Sequence, residues 1–253
     1  MFMVVDRLGE HAGVFALKRL KNVKRQERFT REIAALRKLN GDPNIVTLID
    51  VDDAEDPRWF VMALGEGTLE NLVPASGYPV ERAFELFRET CRGVIALHRE
   101  GVLHRDLKPA SLILSEGHVR VGDLGLCLIE ELRRITPDRE AIGARYYMAP
   151  ESEAGRDDDA DVRTDVYSLG KLLYWLLSQK TLPREKLGHM SYALPGKREH
   201  QALDEFQRVI QQAIAEDRTF RTAGVPQLLS AFEEPWRGSR LGRSERYHSR
   251  WRP

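Results

Sequence analysis

The chain has 253 residues, of which 42% are hydrophobic, so it can bury a substantial core in one or two domains. Its 39 basic and 39 acidic residues balance, so bulk charge points to neither a nucleic-acid nor a membrane partner. Two cysteines, Cys91 and Cys127, are too few for a disulfide framework or a metal site and indicate a reducing compartment. No apolar run approaches the roughly 20 residues that span a bilayer, and residues 1–5 lack the basic flank of a signal peptide. We therefore expect a cytoplasmic protein without a membrane partner.

The first 64 residues predict a small sheet with one helix. Apolar runs between turn residues predict strands at 2–6, 14–20, 45–51 and 59–63. The helix is expected at 27–39, because Phe29, Ile33 and Leu36 recur at three- and four-residue steps opposite a charged face. Strands that flank one helix predict a separate sheet lobe.

The remainder of the chain predicts mostly helix. Helices are expected at 80–100, 165–178 and 202–215, short strands at 112–114 and 119–121, and an irregular stretch at 125–151. The tail, 236–253, combines one acid with six arginines, which are Arg237, Arg240, Arg243, Arg246, Arg250 and Arg252. Without apolar periodicity it is expected to be a disordered, solvated extension, and docking onto an acidic partner or nucleic acid is the alternative.

Three short motifs follow one another in the central part of the chain. They are His104-Arg105-Asp106-Leu107-Lys108-Pro109, Gly122-Asp123-Leu124-Gly125-Leu126 and Met148-Ala149-Pro150-Glu151, preceded by Ala16-Leu17-Lys18 and Arg31-Glu32. Together, over residues 1–235, they resemble the eukaryotic-type (Hanks-type) Ser/Thr protein kinase family. The resemblance implies an α+β, two-lobed protein-kinase-like fold. A reduced N-terminal β lobe would comprise residues 1–64, and a mainly helical C-terminal lobe residues 65–235.

The resemblance also implies the roles of the catalytic residues. Asp106 would orient the attacking hydroxyl and accept its proton, and Lys108, which is typical of Ser/Thr kinases, would neutralise charge on the transferred phosphate. Asp123 would hold Mg²⁺, since magnesium prefers oxygen ligands, and Leu124 replaces the family phenylalanine. For Asp106 and Lys108, the alternative is that these polar groups only satisfy a loop between a helix and a strand.

Nucleotide binding is implied by a second group of residues. Lys18 would contact the phosphates of ATP, and Glu32 would hold Lys18 by an ion pair. Met62, Ala63 and Leu64 fall where the family hinge offers backbone groups to adenine. Taken alone, Lys18 could be an exposed strand lysine. The cofactors implied are ATP and Mg²⁺, with Mn²⁺ as a substitute.

Other matching residues are implied to be structural. Glu151 would pair with Arg221, and Asp165 would anchor the backbone of the catalytic loop, although an Asp at this place is also a good N-cap. Leu36, Leu48, His104 and Leu124 would form an apolar column between the lobes, which would make His104 a core histidine.

Three departures from the family pattern stand out. No Gly-x-Gly-x-x-Gly occurs among the 17 residues before Lys18, so either the protein begins upstream or the phosphate loop is truly missing. Ser111 replaces the metal-binding Asn of the family, and its shorter hydroxyl predicts a weakened second magnesium and a slower kinase. Ala144 replaces a Thr whose hydroxyl positions the catalytic Asp and Lys.

Charged residues near the substrate segment allow two further hypotheses. Glu140 is spaced to pair with Arg105 as a substitute for an activating phosphate, with Thr136-Pro137 as another modification site and a solvent-exposed glutamate as the alternative. The run Asp157-Asp158-Asp159 would favour basic peptide substrates, or it is a solvated loop.

The favoured function is therefore transfer of the ATP γ-phosphate to Ser or Thr hydroxyls of a protein, with weakened nucleotide and metal binding. The runner-up is a pseudokinase-type binding or scaffold module that regulates a partner protein. A third hypothesis is an adaptor that acts through the Arg-rich tail.

Overall fold

A four-stranded antiparallel sheet with one helix begins the fold, and a mostly helical region follows it. The structure, a computed structural model, describes residues 1–6, 13–126, 128–129, 146–153, 160–183 and 201–238, with the backbone alone at 126, 128–129, 201–204 and 236–238. The predicted features at Cys127, Thr136, Glu140, Ala144, Asp157–Asp159 and residues 239–253 lie outside these ranges.

Four strands form the first sheet in the order β1-β2-β4-β3. Their bounds are β1 (Phe2–Val5), β2 (Val14–Arg19), β3 (Leu48–Val51) and β4 (Trp59–Ala63). Ala16 lies opposite both Met3 and Met62, and Lys18 lies opposite Phe60. Because directly opposed residues point to the same side of an antiparallel sheet, these five side chains share one face.

Helix α1 (Gln26–Lys38) covers that same face of the sheet. Its residue Phe29 packs on Phe60 of β4 with ring centroids 5.3 Å apart. Burial of Phe29, Ile33 and Leu36 confirms the predicted apolar face of this helix. The face that carries Lys18 is therefore also the face that meets α1.

The second region contains short strands and six helices in its described part. The strands are β5 (Gly67–Thr68), β6 (Val102–Leu103), β7 (Leu112–Ser115), β8 (His118–Val121) and β9 (Leu128–Ile129). The helices are α2 (Leu69–Leu72), α3 (Val80–Arg99), α4 (Pro150–Glu153), α5 (Val162–Ser178), α6 (Gln201–Ala213) and α7 (Val225–Gly238). None of the described helices is long and apolar enough to cross a membrane.

Aromatic side chains from α3, α6 and α7 form the centre of the helical core. The Phe232 ring stacks on Phe84 at 4.2 Å and meets Phe87 and Phe206 at 4.6 and 5.2 Å. Helix α5 is buried on nearly every side, as expected of a helix at the centre of a domain.

Backbone hydrogen bonds join the two regions at Val121. The Val46 amide donates to the Val121 carbonyl at 3.0 Å, and the Val121 amide donates to the Asn44 carbonyl at 2.8 Å. Gly93 permits this approach, because a Cβ on it would lie 2.7 Å from the Asn44 carbonyl oxygen. The strand predicted at 45–51 therefore starts late, at Leu48, since Ile45 and Val46 pair with β8 instead.

Most predicted elements have the expected type, with bounds shifted by a few residues. The short elements β5, α2, β6, β9 and α4 were not predicted, and β9 lies in the stretch 125–151 that was predicted to be irregular. The longer helix α7 was also not predicted, and it continues to Gly238, three residues into the predicted tail. Pro226 occupies its first turn, where a missing amide hydrogen costs nothing.

An ion pair buried in the helical region joins two segments 70 residues apart. Arg221 donates through Nη1 to Glu151 Oε1 at 2.7 Å and through Nη2 to Oε2 at 3.2 Å, as the resemblance implied. Burial raises the pKa of Glu151, but the Arg221 hydrogen bonds outweigh it and hold the pKa below its ordinary value. The pair therefore stabilises the fold above the ordinary carboxylate range and loses that contribution as the pH falls below it.

We expect Arg221→Ala to lower the free energy of unfolding by about 3–5 kcal/mol, because it leaves Glu151 buried and unpaired. Denaturant unfolding at neutral pH measures the change, and Arg208→Ala on the exposed side of α6 is the matched control, expected to stay within about 0.5 kcal/mol. Equal effects of the two substitutions would contradict the importance of the pair.

Candidate active site

The loop that follows β6 carries the predicted catalytic residues and is fixed by a buried carboxylate. Asp165 of α5 accepts the backbone amides of His104 and Arg105 at 2.9 and 2.8 Å. Arg105 has φ of 66°, a conformation that non-glycine residues rarely adopt and that needs such support. The predicted loop anchor is thus confirmed. The N-cap alternative is wrong, because Asp161 caps α5 by accepting from the Arg163 amide.

Two histidines complete the surroundings of this loop. His98 Nε2 donates to Asp165 Oδ2 at 2.8 Å. Burial raises the pKa of Asp165, but the His98 hydrogen bond and the neighbouring donors outweigh it and hold the pKa below its ordinary value. His104 is fully buried and donates through Nε2 to the Gly122 carbonyl, while Nδ1 accepts the Asp106 amide. With both ring nitrogens engaged, His104 is a core histidine.

Asp106 and Lys108 form a close pair on the same loop. Lys108 Nζ lies 2.5 Å from Asp106 Oδ2, and their side chains are 22% and 12% exposed. One carboxylate oxygen of Asp106, Oδ2, thus bonds the ammonium.

Ser111 lies at the end of the 3₁₀ turn Pro109–Ser111 and is buried. Its hydroxyl donates to the Lys108 carbonyl at 2.8 Å and accepts the Lys108 amide at 3.1 Å. The hydrogen bonds of Ser111 therefore support a turn, and they lend no support to the prediction that it helps to hold a metal.

Lys18 joins two carboxylates, one from each of the two regions. Its Nζ lies 2.6 Å from Glu32 Oε1 on α1 and 2.9 Å from Asp123 Oδ1, in the loop after β8. The Glu32 side chain is 4% exposed, whereas that of Asp123 is 51% exposed. The structure thus brings together three residues that the sequence places 14 and 105 positions apart.

The pKa values of these three groups reflect the shared cation. Burial lowers the pKa of Lys18, but the two carboxylates outweigh burial and raise it. Burial raises the pKa of Glu32, Lys18 opposes that shift, and Asp123 adds to it, so that the pKa lies above its ordinary value. Partial removal from water raises the pKa of Asp123, but Lys18, and more weakly Lys108, lower it below its ordinary value.

The predicted hinge residues differ in what they can offer to a ligand. Met62 is buried on the Lys18 face of the sheet, and Leu64 is exposed. The Ala63 amide donates to the Thr47 carbonyl at 2.9 Å, so it is already used within the fold. Gly65, which was not among the predicted site residues, lies so close to β7 that a Cβ would come within 2.5 Å of the Leu114 carbonyl oxygen.

Two exposed apolar side chains on the Lys18 face of the sheet were not predicted from the sequence. Met3 and Val5 lie on the Lys18 face of the sheet, opposite Ala16 and Val14, and they are 76% and 60% exposed. Only the strand register shows that these side chains lie on the Lys18 face. Alternation along β1 separates two faces but does not say which of them carries Lys18.

The carboxylates of this site are the oxygen donors that it could offer to a cation. Among the residues that the structure describes, no group of three or more His, Cys, Asp or Glu side chains could hold a metal ion by itself. Asp123 nevertheless suits Mg²⁺, since its carboxylate is half-exposed and only Oδ1 bonds Lys18, and magnesium usually takes one or two carboxylates beside phosphates and water.

Comparison with known proteins agrees with this geometry. A family model described as the protein kinase domain matches residues 4–250. The chain belongs to the protein kinase family. The kinase domain is 35% identical over 159 residues to the serine/threonine-protein kinase PknB of Mycobacterium leprae, which covers 60% of this chain and 25% of that protein.

Two further relatives give the same result. A probable serine/threonine-protein kinase of Clostridium perfringens is 32% identical over 154 residues, 60% of this chain and 22% of that protein. PknL of Mycobacterium tuberculosis is 36% identical over 156 residues, 61% of this chain and 39% of that protein. The matched segments thus span less than half the length of each of these relatives.

We expect Lys18→Met to destabilise the kinase domain by about 2–3 kcal/mol at pH 8, because it leaves Glu32 buried without its cation. A carboxyl with a raised pKa stabilises the fold when protonated and loses that contribution as the pH rises, so the loss should be smaller at pH 5. Denaturant unfolding of wild type, Lys18→Met and the double variant Lys18→Met/Glu32→Gln tests this. The double variant should recover stability at pH 8, and an equal loss at both pH values would contradict the argument.

Proposed function

We propose that the chain is the catalytic domain of a protein serine/threonine kinase, which transfers the γ-phosphate of ATP to protein hydroxyls. The observation that carries the proposal is the Lys18 ammonium held between Glu32 and Asp123 beside the Asp106–Lys108 pair. The names of the relatives support a serine/threonine kinase, and their kinase activity is proposed for this chain on that basis.

Three residues would bind the nucleotide and its metal. Lys18 would hold phosphate oxygens, Glu32 would fix the Lys18 side chain, and Asp123 would coordinate Mg²⁺. The bound metal would supply positive charge that offsets charge on the phosphates. Met62, Ala63 and Leu64 border the position proposed for adenine, with the carbonyl of Ala63 and the backbone of Leu64 as candidates for its hydrogen bonds.

Asp106 and Lys108 would act on the reacting groups. Asp106 would orient the substrate hydroxyl through Oδ1 and accept its proton as the new oxygen–phosphorus bond forms and the bond to the ADP oxygen breaks. Lys108 already bonds Asp106 Oδ2, so one ammonium would both position the carboxylate and offset charge on the transferred phosphoryl group.

A specific observation favours a second candidate function. Because the Ser111 hydroxyl is bonded to the Lys108 backbone, the site has weaker means to hold a second metal than the family pattern provides. Nucleotide and metal binding would then be weakened, and at the limit the domain would act as a pseudokinase-type module that regulates a partner protein. Retention of Lys18, Asp106 and Asp123 favours the enzyme.

Phosphate transfer tests the proposed enzyme directly. With γ-labelled ATP and Mg²⁺, or Mn²⁺ in a parallel series, we expect label on the protein itself or on a generic basic protein. Asp106→Asn and Asp123→Asn should each reduce incorporation at least about 100-fold, because they remove the proposed base and the metal ligand. Asp53→Asn, in the exposed loop after β3, is the charge-matched control and should leave the rate unchanged. Folded protein that incorporates no label with either metal would contradict the enzyme.

Nucleotide binding separates the two candidates further. We expect ATP to raise the unfolding temperature only when Mg²⁺ or Mn²⁺ is present, because ligand binding to the folded state stabilises it by mass action. Asp123→Asn should abolish this rise, whereas Asp53→Asn should retain it. A rise that occurs without phosphate transfer would favour the binding module over the enzyme.

A further inference from the structure

Ser111 is bonded on both sides to the backbone of one residue. Its hydroxyl donates its only proton to the Lys108 carbonyl at 2.8 Å and uses a lone pair to accept the Lys108 amide at 3.1 Å. A serine hydroxyl has one donor and two acceptor positions, so two of the three are occupied. With an exposed fraction of 1%, the residue has little access to solvent.

This bonding fixes the backbone of Lys108 at the start of the turn Pro109–Ser111. The Lys108 side chain starts from that backbone and reaches Asp106 Oδ2 at 2.5 Å. A change in the Lys108 backbone would therefore move the ammonium relative to Asp106. Small displacements of reacting groups cost much in rate, since an error of about 1 Å can slow a reaction about 100-fold.

Ser111 also ties this loop to the loop that holds Asp123. Its backbone carbonyl accepts the Gly122 amide at 2.9 Å, directly before Asp123. One residue thus connects, through its hydroxyl and its carbonyl, the Asp106–Lys108 loop and the start of the Asp123 loop.

We propose that Ser111 is a positioning residue, which acts through Lys108 and Gly122, and that it is not a metal ligand. A second divalent cation beside the one proposed at Asp123 would then receive no ligand from Ser111. The inference rests on the proposed function for its effect on the rate, but its contacts stand independently of any activity.

Three substitutions of Ser111 separate positioning from metal binding. Ser111→Ala removes both side-chain hydrogen bonds, Ser111→Thr retains the hydroxyl, and Ser111→Cys keeps nearly the same volume with a much weaker donor. Ser115→Ala, on β7 of the same segment, is the matched control. Unfolding temperatures establish that each variant is folded. If Ser111→Ala does not fold, Ser111→Cys takes its place in each measurement.

The first readout is the dissociation constant of ATP as a function of Mg²⁺ concentration. We expect Ser111→Ala to keep the midpoint of this dependence within about twofold of wild type, because no metal ligand is lost. A shift of about tenfold toward higher Mg²⁺ would show that Ser111 is a ligand and would overturn the proposal.

The second readout is amide hydrogen exchange at Lys108. It should accelerate in Ser111→Ala and Ser111→Cys and remain slow in Ser111→Thr and Ser115→Ala, because the Lys108 amide donates to the hydroxyl. Unchanged exchange in Ser111→Ala would also overturn the proposal.

The third readout is the rate of phosphate transfer. Ser111→Ala should lower kcat by about 10- to 100-fold with little change in the KM for ATP, and Ser111→Thr should restore most of it. A raised KM with unchanged kcat would contradict positioning. If the wild-type protein transfers no phosphate, the proposed kinase activity is wrong. Amide exchange at Lys108 and the Mg²⁺ dependence of ATP binding still test the role of Ser111.

Discussion

The position of the candidate active site depends on one buried carboxylate, Asp165. A charged group removed from water is tolerated only when hydrogen bonds replace its hydration, and Asp165 receives them from two backbone amides and from His98. Those amides belong to a loop in which Arg105 has a positive φ, so the carboxylate also supports a backbone conformation that would otherwise be costly. Asp165 is carried by α5, a helix that is buried on nearly every side.

Lys18 is the second fixed charge near the candidate site. Ion pairs with two carboxylates hold it, whereas backbone amides hold Asp165. Lys18 lies between Glu32, which is buried, and Asp123, which is half-exposed and also has a positive φ of 54°. The two carboxylates therefore respond differently to the same cation. Burial keeps the pKa of Glu32 raised, whereas the pKa of Asp123 is lowered. Of the two, Asp123 has the lowered pKa and is also the carboxylate that is exposed to solvent.

Sequence reasoning was most successful where a pattern is local or where the family resemblance supplied a partner. Apolar periodicity predicted α1 and α3 because packing of one face determines a helix. The pairing of Glu151 with Arg221, 70 residues apart, came from the resemblance alone, as did the pairing of Lys18 with Glu32 and the anchoring role of Asp165. No spacing rule predicts such contacts, since they depend on the tertiary fold.

The features that sequence reasoning missed all depend on where the backbone goes. Ile45 and Val46 have the composition of a strand, yet Ile45 lies opposite Val121 of the other region in an isolated bridge, and the Val46 amide donates to the Val121 carbonyl. The Ala63 amide is used by Thr47, which a hinge motif cannot reveal. The hydrogen bonds of Ser111 follow from a 3₁₀ turn that brings its side chain back to Lys108, whereas the sequence shows only that an asparagine is replaced.

Under the proposed function, the charges of the site would favour entry of a nucleotide together with a cation. The five side chains proposed to act are Lys18, Lys108, Glu32, Asp106 and Asp123. Two ammonium groups and three carboxylates leave them with about one net negative charge when all are ionised. A triphosphate approaching these groups alone would meet net repulsion, even though Lys18 attracts it locally. A divalent cation bound at Asp123 would change the net charge of these groups from negative to positive. Because Asp123 bonds Lys18 through Oδ1 only, the cation and the ammonium could then both contact the phosphates. Under the proposed function, the half-exposed carboxylate of Asp123 would therefore be the group on which nucleotide binding by the remaining residues depends most.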